Sequence, residues 1–155
     1  MLRIRRYQDG DAKAVARLIS KTYAQFNSTE GSPEAVQQYV ARYNPDGDFE
    51  EIRKRLRRTP CCWVAVDDSR VVGVIRGIGN RLINLFIAGP YQRRGIAARL
   101  VRRYEMSRRK AGYSEVVLRS SLYAVPFYQA VGYKKTTGVR TLHGLKVQPM
   151  KKRFQ

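Results

Sequence analysis

PYQRRGIAARL, residues 90–100, sets two adjacent arginines and a glycine directly before a run of small and apolar residues. The stretch ahead of it, LINLFI at residues 82–87, reads as a strand. Behind it, Ile96, Leu100 and Tyr104 recur every four residues with Ala97 and Val101 beside them, while Arg99, Arg102, Arg103, Arg108 and Arg109 fall mostly on other faces. That periodicity predicts an amphipathic helix of about four turns, stopped by Gly112. The unit is therefore a strand, a loop over residues 88–94, and a helix from about Gly95. The first N–H groups of a helix lack internal partners and sit at the positive end of its dipole, where a phosphate is favoured. Gly95 has no Cβ to hold an anion away from the backbone, Gln92, Arg93 and Arg94 add donors and charge, and Ala97 keeps the next turn small. The reading is a cradle for one phosphate-bearing ligand rather than a diffuse basic patch. The commoner phosphate loops are absent: no GxxxxGK[ST] occurs, and Leu82 stands where the third glycine of a dinucleotide fingerprint begun by Gly77 and Gly79 would be.

Working outward, residues 2–6 read as a first strand, and Asp11 as the cap of a helix carrying Val15, Leu18, Ile19 and Tyr23. Residues 27–32 form a polar connection, and Ser32-Pro33 starts a second helix to about Tyr43. A short basic helix spans residues 50–58 and stops at Thr59-Pro60. Strands at residues 63–66 and 71–75 form an antiparallel hairpin around a polar turn. After the long amphipathic helix come a strand at 116–118, a helix at 122–131 ended by Gly132, and strands at 133–137 and 145–150 around a turn near residues 142–144. This order predicts an α/β fold of the α+β type, a mostly antiparallel sheet with one late strand–helix–strand crossover, and a single domain over residues 1–155.

Of the residues, 43% are hydrophobic and 28% charged, which fits a folded domain and not a disordered chain. Lysine and arginine number 31 against 12 acidic residues, a formal net charge of +19, so the chain attracts polyanions. No apolar run approaches the ~18 residues of a membrane span. The N-terminal residues have charge but no apolar leader segment, and the cytoplasm is the expected compartment. Cys61 and Cys62 are adjacent, without metal-ligand spacing, and read as small core residues; no metal site is expected.

The pattern Gln92-x-x-Gly95-x-Ala97 resembles the Arg/Gln-x-x-Gly-x-Gly/Ala signature of the GCN5-related N-acetyltransferase (GNAT) superfamily. A second stretch is similar to that family's late motif: Ser121, then Ala124, Phe127-Tyr128 and Gly132-Tyr133. The resemblance is strong over residues 82–152. It implies a mixed sheet of six to seven strands, splayed in a V between the strands at 82–87 and 116–120 and flanked by four to five helices. It further implies an N-acetyltransferase that moves an acetyl group from acetyl-coenzyme A, as cosubstrate, to a primary amine of a small molecule or protein within a ternary complex. By resemblance, the pantetheine arm would hydrogen-bond the backbone of Leu85, Phe86 and Ile87 like an added strand. The pyrophosphate would sit on Gln92, Arg93, Arg94, Gly95, Ile96 and Ala97. Tyr128 matches the family's proposed general acid, a phenol able to protonate the leaving thiolate. The backbone N–H near Ile87 is a candidate oxyanion donor. Ser121 stands where Asn is commoner, and either meets the coenzyme or caps its helix.

Many family members carry a Glu base on the strand that here offers Asn84, which is no base. Glu30 and His143 are the remaining candidates, beside an ordered water chain. Arg53, Arg55 and Arg57 are either a solvated helix face or a guide for an acidic acceptor. Two other readings stay open: a basic nucleic-acid-binding module, and a sensor that binds acyl-coenzyme A without catalysis. The protein is expected to be a monomer or homodimer that does not bind membranes.

Overall fold

The computed structural model describes all residues, 1–155. The chain runs β1 (Leu2–Arg6), α1 (Ala12–Phe26), α2 (Pro33–Arg42), α3 (Phe49–Arg57), β2 (Cys61–Asp67), β3 (Arg70–Ile78) and β4 (Arg81–Ile87). It continues through α4 (Ile96–Lys110), β5 (Glu115–Ser121), α5 (Val125–Ala130), β6 (Lys134–Lys135), β7 (Arg140–Leu142) and β8 (Leu145–Arg153). The eight strands form one sheet in the order β1-β2-β3-β4-β5-β8-β6, with β7 also on β8. Every pairing is antiparallel except β4 with β5.

The sheet has one strand more than expected. The segment read as a strand at 133–137 pairs only through Lys134 and Lys135, and the chain returns at Arg140 to make a hairpin with β8. Lys134 through Leu142 is exposed throughout, so no buried face holds the stretch flat on the sheet. The helix read at 122–131 begins only at Val125, because Ser121 closes a turn: its hydroxyl and its carbonyl both accept the Ala124 N–H. Asp11 is not the side-chain cap of α1. Its carboxylate instead accepts the Gln8 N–H and two bonds from the Arg5 guanidinium. Ser32 does cap α2, accepting the Ala35 N–H at 3.1 Å with Pro33 at the first position.

The central strands are buried on both faces, which is why β2 reads as an unbroken apolar run. Cys61, Trp63 and Ala65 face a core with Leu100, Val101 and Tyr104 of α4, and Val116 and Leu118 of β5. Cys62, Val64 and Val66 face the other, with Val15 and Ile19 of α1 and Ile52 and Leu56 of α3. Both cysteines are free and buried, and burial pushes the Cys62 thiol up to about 12, so it stays protonated as a core residue.

Candidate active site

Strands β4 and β5 pair only at Arg81 with Val117 and Leu82 with Leu118, then diverge. This is the V. Ala88 donates to the Val72 carbonyl at 2.9 Å, which fixes the phase of β4 against β3. Backbone groups alternate sides along a strand, so those of Leu85 and Ile87 turn into the gap. Two cavities, about 540 and 650 Å³, open on this gap and share Leu85, Phe86, Ser121 and Ala124 in their walls.

The first cavity runs from the gap to the start of α4. Arg93 (φ 62°) and Gly95 (φ 81°) are both left-handed, which curls the loop so that its N–H groups face one side. Gln92 donates its backbone N–H to Gly89, and the next backbone bond is Arg99 to Gly95. The N–H groups of residues 93–98 between them have no backbone acceptor. Gly95 would meet nothing if given a Cβ, so glycine is required there by its φ and not by crowding. The Gln92 side chain holds the loop: Nε2 donates to the Ile87 carbonyl at 3.0 Å, and Oε1 accepts from the Tyr123 hydroxyl at 3.0 Å.

Leu85, Phe86, Ile87, Gln92, Arg93, Gly95, Ile96, Ala97 and Ser121, all expected at the cofactor site, line this cavity together. Arg94 does not line it, and lies over the Tyr91 ring at 5.1 Å. Two contributors were missed. Phe26 at the end of α1 stacks on Tyr123 at 5.2 Å, and the pair forms part of the same wall. Tyr123 has a sequence signal, its position one turn before Phe127, but its bond to Gln92 is visible only in the fold.

The second cavity lies across Leu85 and Phe86 from the first. Tyr128 lines it, with its ring edge-on to Phe127 and Tyr133. Tyr128 is buried, and that burial alone raises its phenol well above the ordinary value, so it stays protonated at neutral pH. Tyr39, Asn84 and Arg119 also face this space. Exposed His143, in the β7–β8 turn, sits on its wall. No carboxylate lines either cavity.

Glu30 is 5% exposed and lines neither cavity. One carboxylate oxygen accepts the Leu122 N–H, and the other accepts from Asn27 Nδ2 at 2.6 Å. Its carbonyl accepts the Lys146 N–H at 2.8 Å. Glu30 thus ties α1, the β5–α5 turn and β8 together. The basic face of α3 is also engaged in the fold: Arg53 and Arg57 both bridge Asp9 at 2.8 Å, and Arg55 donates to the Arg42 carbonyl. None of those three side chains lines either cavity.

The sequence model of the acetyltransferase (GNAT) domain matches residues 27–154, and the chain belongs to that family of acetyltransferases. It is 35% identical over 104 residues to N-acetyltransferase 8 of Homo sapiens, covering 57% of this chain and 46% of that protein. The chain thus spans about half the length of the human relative. It is 26% identical over 133 residues to the uncharacterized N-acetyltransferase YafP of Escherichia coli (strain K12), covering 86% of this chain and 81% of the relative. Among solved structures, a GCN5-related N-acetyltransferase from Rhodopseudomonas palustris superposes with a TM-score of 0.86 at 20% identity, covering 98% of this chain and 95% of that one. PaiA N-acetyltransferase from Thermoplasma acidophilum, in complex with coenzyme A, gives 0.76 at 21% identity, with 99% of each chain covered. These two likenesses establish the shared fold.

Proposed function

We propose that residues 1–155 act as one domain that transfers an acetyl group from acetyl-coenzyme A to a primary amine by direct attack within a ternary complex. The observation that carries this reading is the junction of two cavities at Leu85, Phe86, Ser121 and Ala124, one ending in free N–H groups and the other holding a protonated tyrosine. In this reading the pyrophosphate takes the N–H groups of residues 93–98, with Arg93 beside it. The pantetheine amides extend β4 through the free backbone of Leu85, and the Ile87 N–H is left to hold the thioester oxygen. The Ile87 carbonyl is already taken by Gln92, which ties the loop to the end of β4.

The acceptor amine enters through the second cavity. Its lone pair attacks the thioester carbon, the C–S bond breaks, and the Tyr128 hydroxyl gives its proton to the departing thiolate. The proton released by the amide nitrogen returns through solvent to the phenolate. The amine must arrive neutral. Glu30 is not the base in this reading, because its two oxygens are bound inside the fold. His143 is the only imidazole at hand and is exposed to solvent, so deprotonation passes to bulk water. Initial-velocity kinetics test the scheme. Acetyl-coenzyme A varied at several amine concentrations gives intersecting double-reciprocal lines and no acetylated protein by mass spectrometry. Parallel lines with an acetylated protein would reject direct attack.

A further inference from the structure

The second cavity is built for negative charge. Its walls include Arg42, Arg81, Arg119 and Lys146, and none of these four makes an ion pair. Not one of the chain's 12 acidic residues lines it. A net charge of +19 alone would scatter unpaired cations over the surface, so the rim is not sufficient. The deciding feature is buried. Arg76 of β3 is 3% exposed, reaches only the Tyr43 hydroxyl at 3.3 Å, and leaves Nε with no partner. A guanidinium buried without a counter-charge is costly unless the field it creates is used. Arg76 is the direct cross-strand partner of Asn84, so both side chains project from the same face. Asn84, 5% exposed, and Tyr43 both line the cavity, so the Arg76 guanidinium stands behind its wall without lining it.

We infer that the acceptor is an amine carrying an anionic group, a carboxylate or phosphate, in the same molecule: the anion meets the rim cations, backed by the field of Arg76 behind the cavity wall. This rests on the acetyl-transfer reading above and names its substrate class. The chemistry is complementary at both ends. Arginine binds carboxylate and phosphate through paired N–H donors. The surrounding positive charge disfavours the ammonium form of the acceptor amine and so keeps it neutral for attack. An amine with a second positive charge, such as spermidine, meets only repulsion there.

The test is calorimetric titration into the coenzyme A-saturated protein, using L-amino acids against their amides, phosphoethanolamine against ethanolamine, and spermidine. The anionic member of each effective pair binds about tenfold tighter or better, and spermidine does not bind. Changing Arg42→Gln and Arg119→Gln together removes the preference. Changing Arg102→Gln and Arg103→Gln together, the same loss of two charges on the exposed side of α4, leaves it intact. Equal or tighter binding of the uncharged members would overturn the inference, as would an effect of the Arg102/Arg103 pair equal to that of the cavity pair. The carboxylate and phosphate pairs separate the two anion sources. Failure of coenzyme A to bind in the first titration would count against the acetyl-transfer reading, while the anion preference, measured on the free protein, would still stand or fall by itself.

Discussion

The carboxylate of Glu30 accepts the backbone N–H of Leu122, ninety-two positions further along the chain. That bond fixes the turn after β5, from which α5 and Tyr128 hang. Glu30→Ala leaves the buried Leu122 N–H and Asn27 amide without acceptors and costs about 1–3 kcal/mol in urea unfolding. Glu30→Gln keeps one acceptor oxygen and loses less. Both variants raise the KM for acetyl-coenzyme A and leave the pH profile of the remaining activity unchanged. A base at Glu30 would give the opposite: lost kcat and an altered acid limb at unchanged stability.

Tyr128 lines the second cavity and not the first, so its hydroxyl bears on chemistry and not on cofactor binding. Tyr128→Phe lowers kcat by about 10²–10⁴-fold with acetyl-coenzyme A affinity unchanged. Burial raises the phenol above its ordinary value of about 10, so the protonated form persists through alkaline pH. The rate therefore rises with pH as the acceptor amine loses its proton and shows no decline before about pH 10. A pH–rate profile checks this for acceptors of different basicity: the midpoint follows the amine. One midpoint common to all acceptors would indicate a protein base instead.

Burial pulls the Asp11 carboxyl upward, but hydrogen bonds from Arg5 and the Gln8 N–H, with the charge of Arg5, outweigh it and hold the group below its usual value. The sign follows directly. A depressed carboxyl stabilises the fold above the unfolded value of about 3.9, and that contribution is lost as pH falls toward the folded value. Asp11→Ala costs about 2 kcal/mol at pH 7, and less as the pH is lowered below 4, when followed by unfolding at a series of pH values.

Gly31 sits where α2 meets the final hairpin. A Cβ there would lie 2.5 Å from the Gly144 carbonyl oxygen and 2.9 Å from the Leu145 side chain. Gly31→Ala forces the β7–β8 turn away from α2 and destabilises the protein by about 1–3 kcal/mol in thermal melts. It also disturbs the second cavity, of which Leu145 and His143 are walls, so acceptor KM rises more than cofactor KM.

The parts of the fold written in local pattern were legible. The apolar run of β2, the four-residue recurrence along α4 and the Gln92-to-Ala97 loop each depend on neighbours in sequence, and each forms where it was read. The last strands were not, because Lys134 and Lys135 have no apolar face and are ordered only by their partner β8. The walls of the first cavity were legible for the same reason as the loop. Those of the second were not: Tyr39, Asn84, Arg119 and His143 come from α2, β4, β5 and the last turn, and no spacing joins them. Arg53 and Arg57 illustrate the same limit. Their partner Asp9 lies 44 and 48 positions away, so a cluster that reads as free charge is an internal clamp.

The central claim is that coenzyme A occupies the cavity between Leu85 and the start of α4. Hydrogen–deuterium exchange with and without coenzyme A reads the relevant N–H groups directly. The account predicts strong protection confined to residues 85–87 and 93–98, with micromolar affinity that Gly95→Glu abolishes. Binding that leaves the amides of residues 93–98 exchanging freely would contradict it.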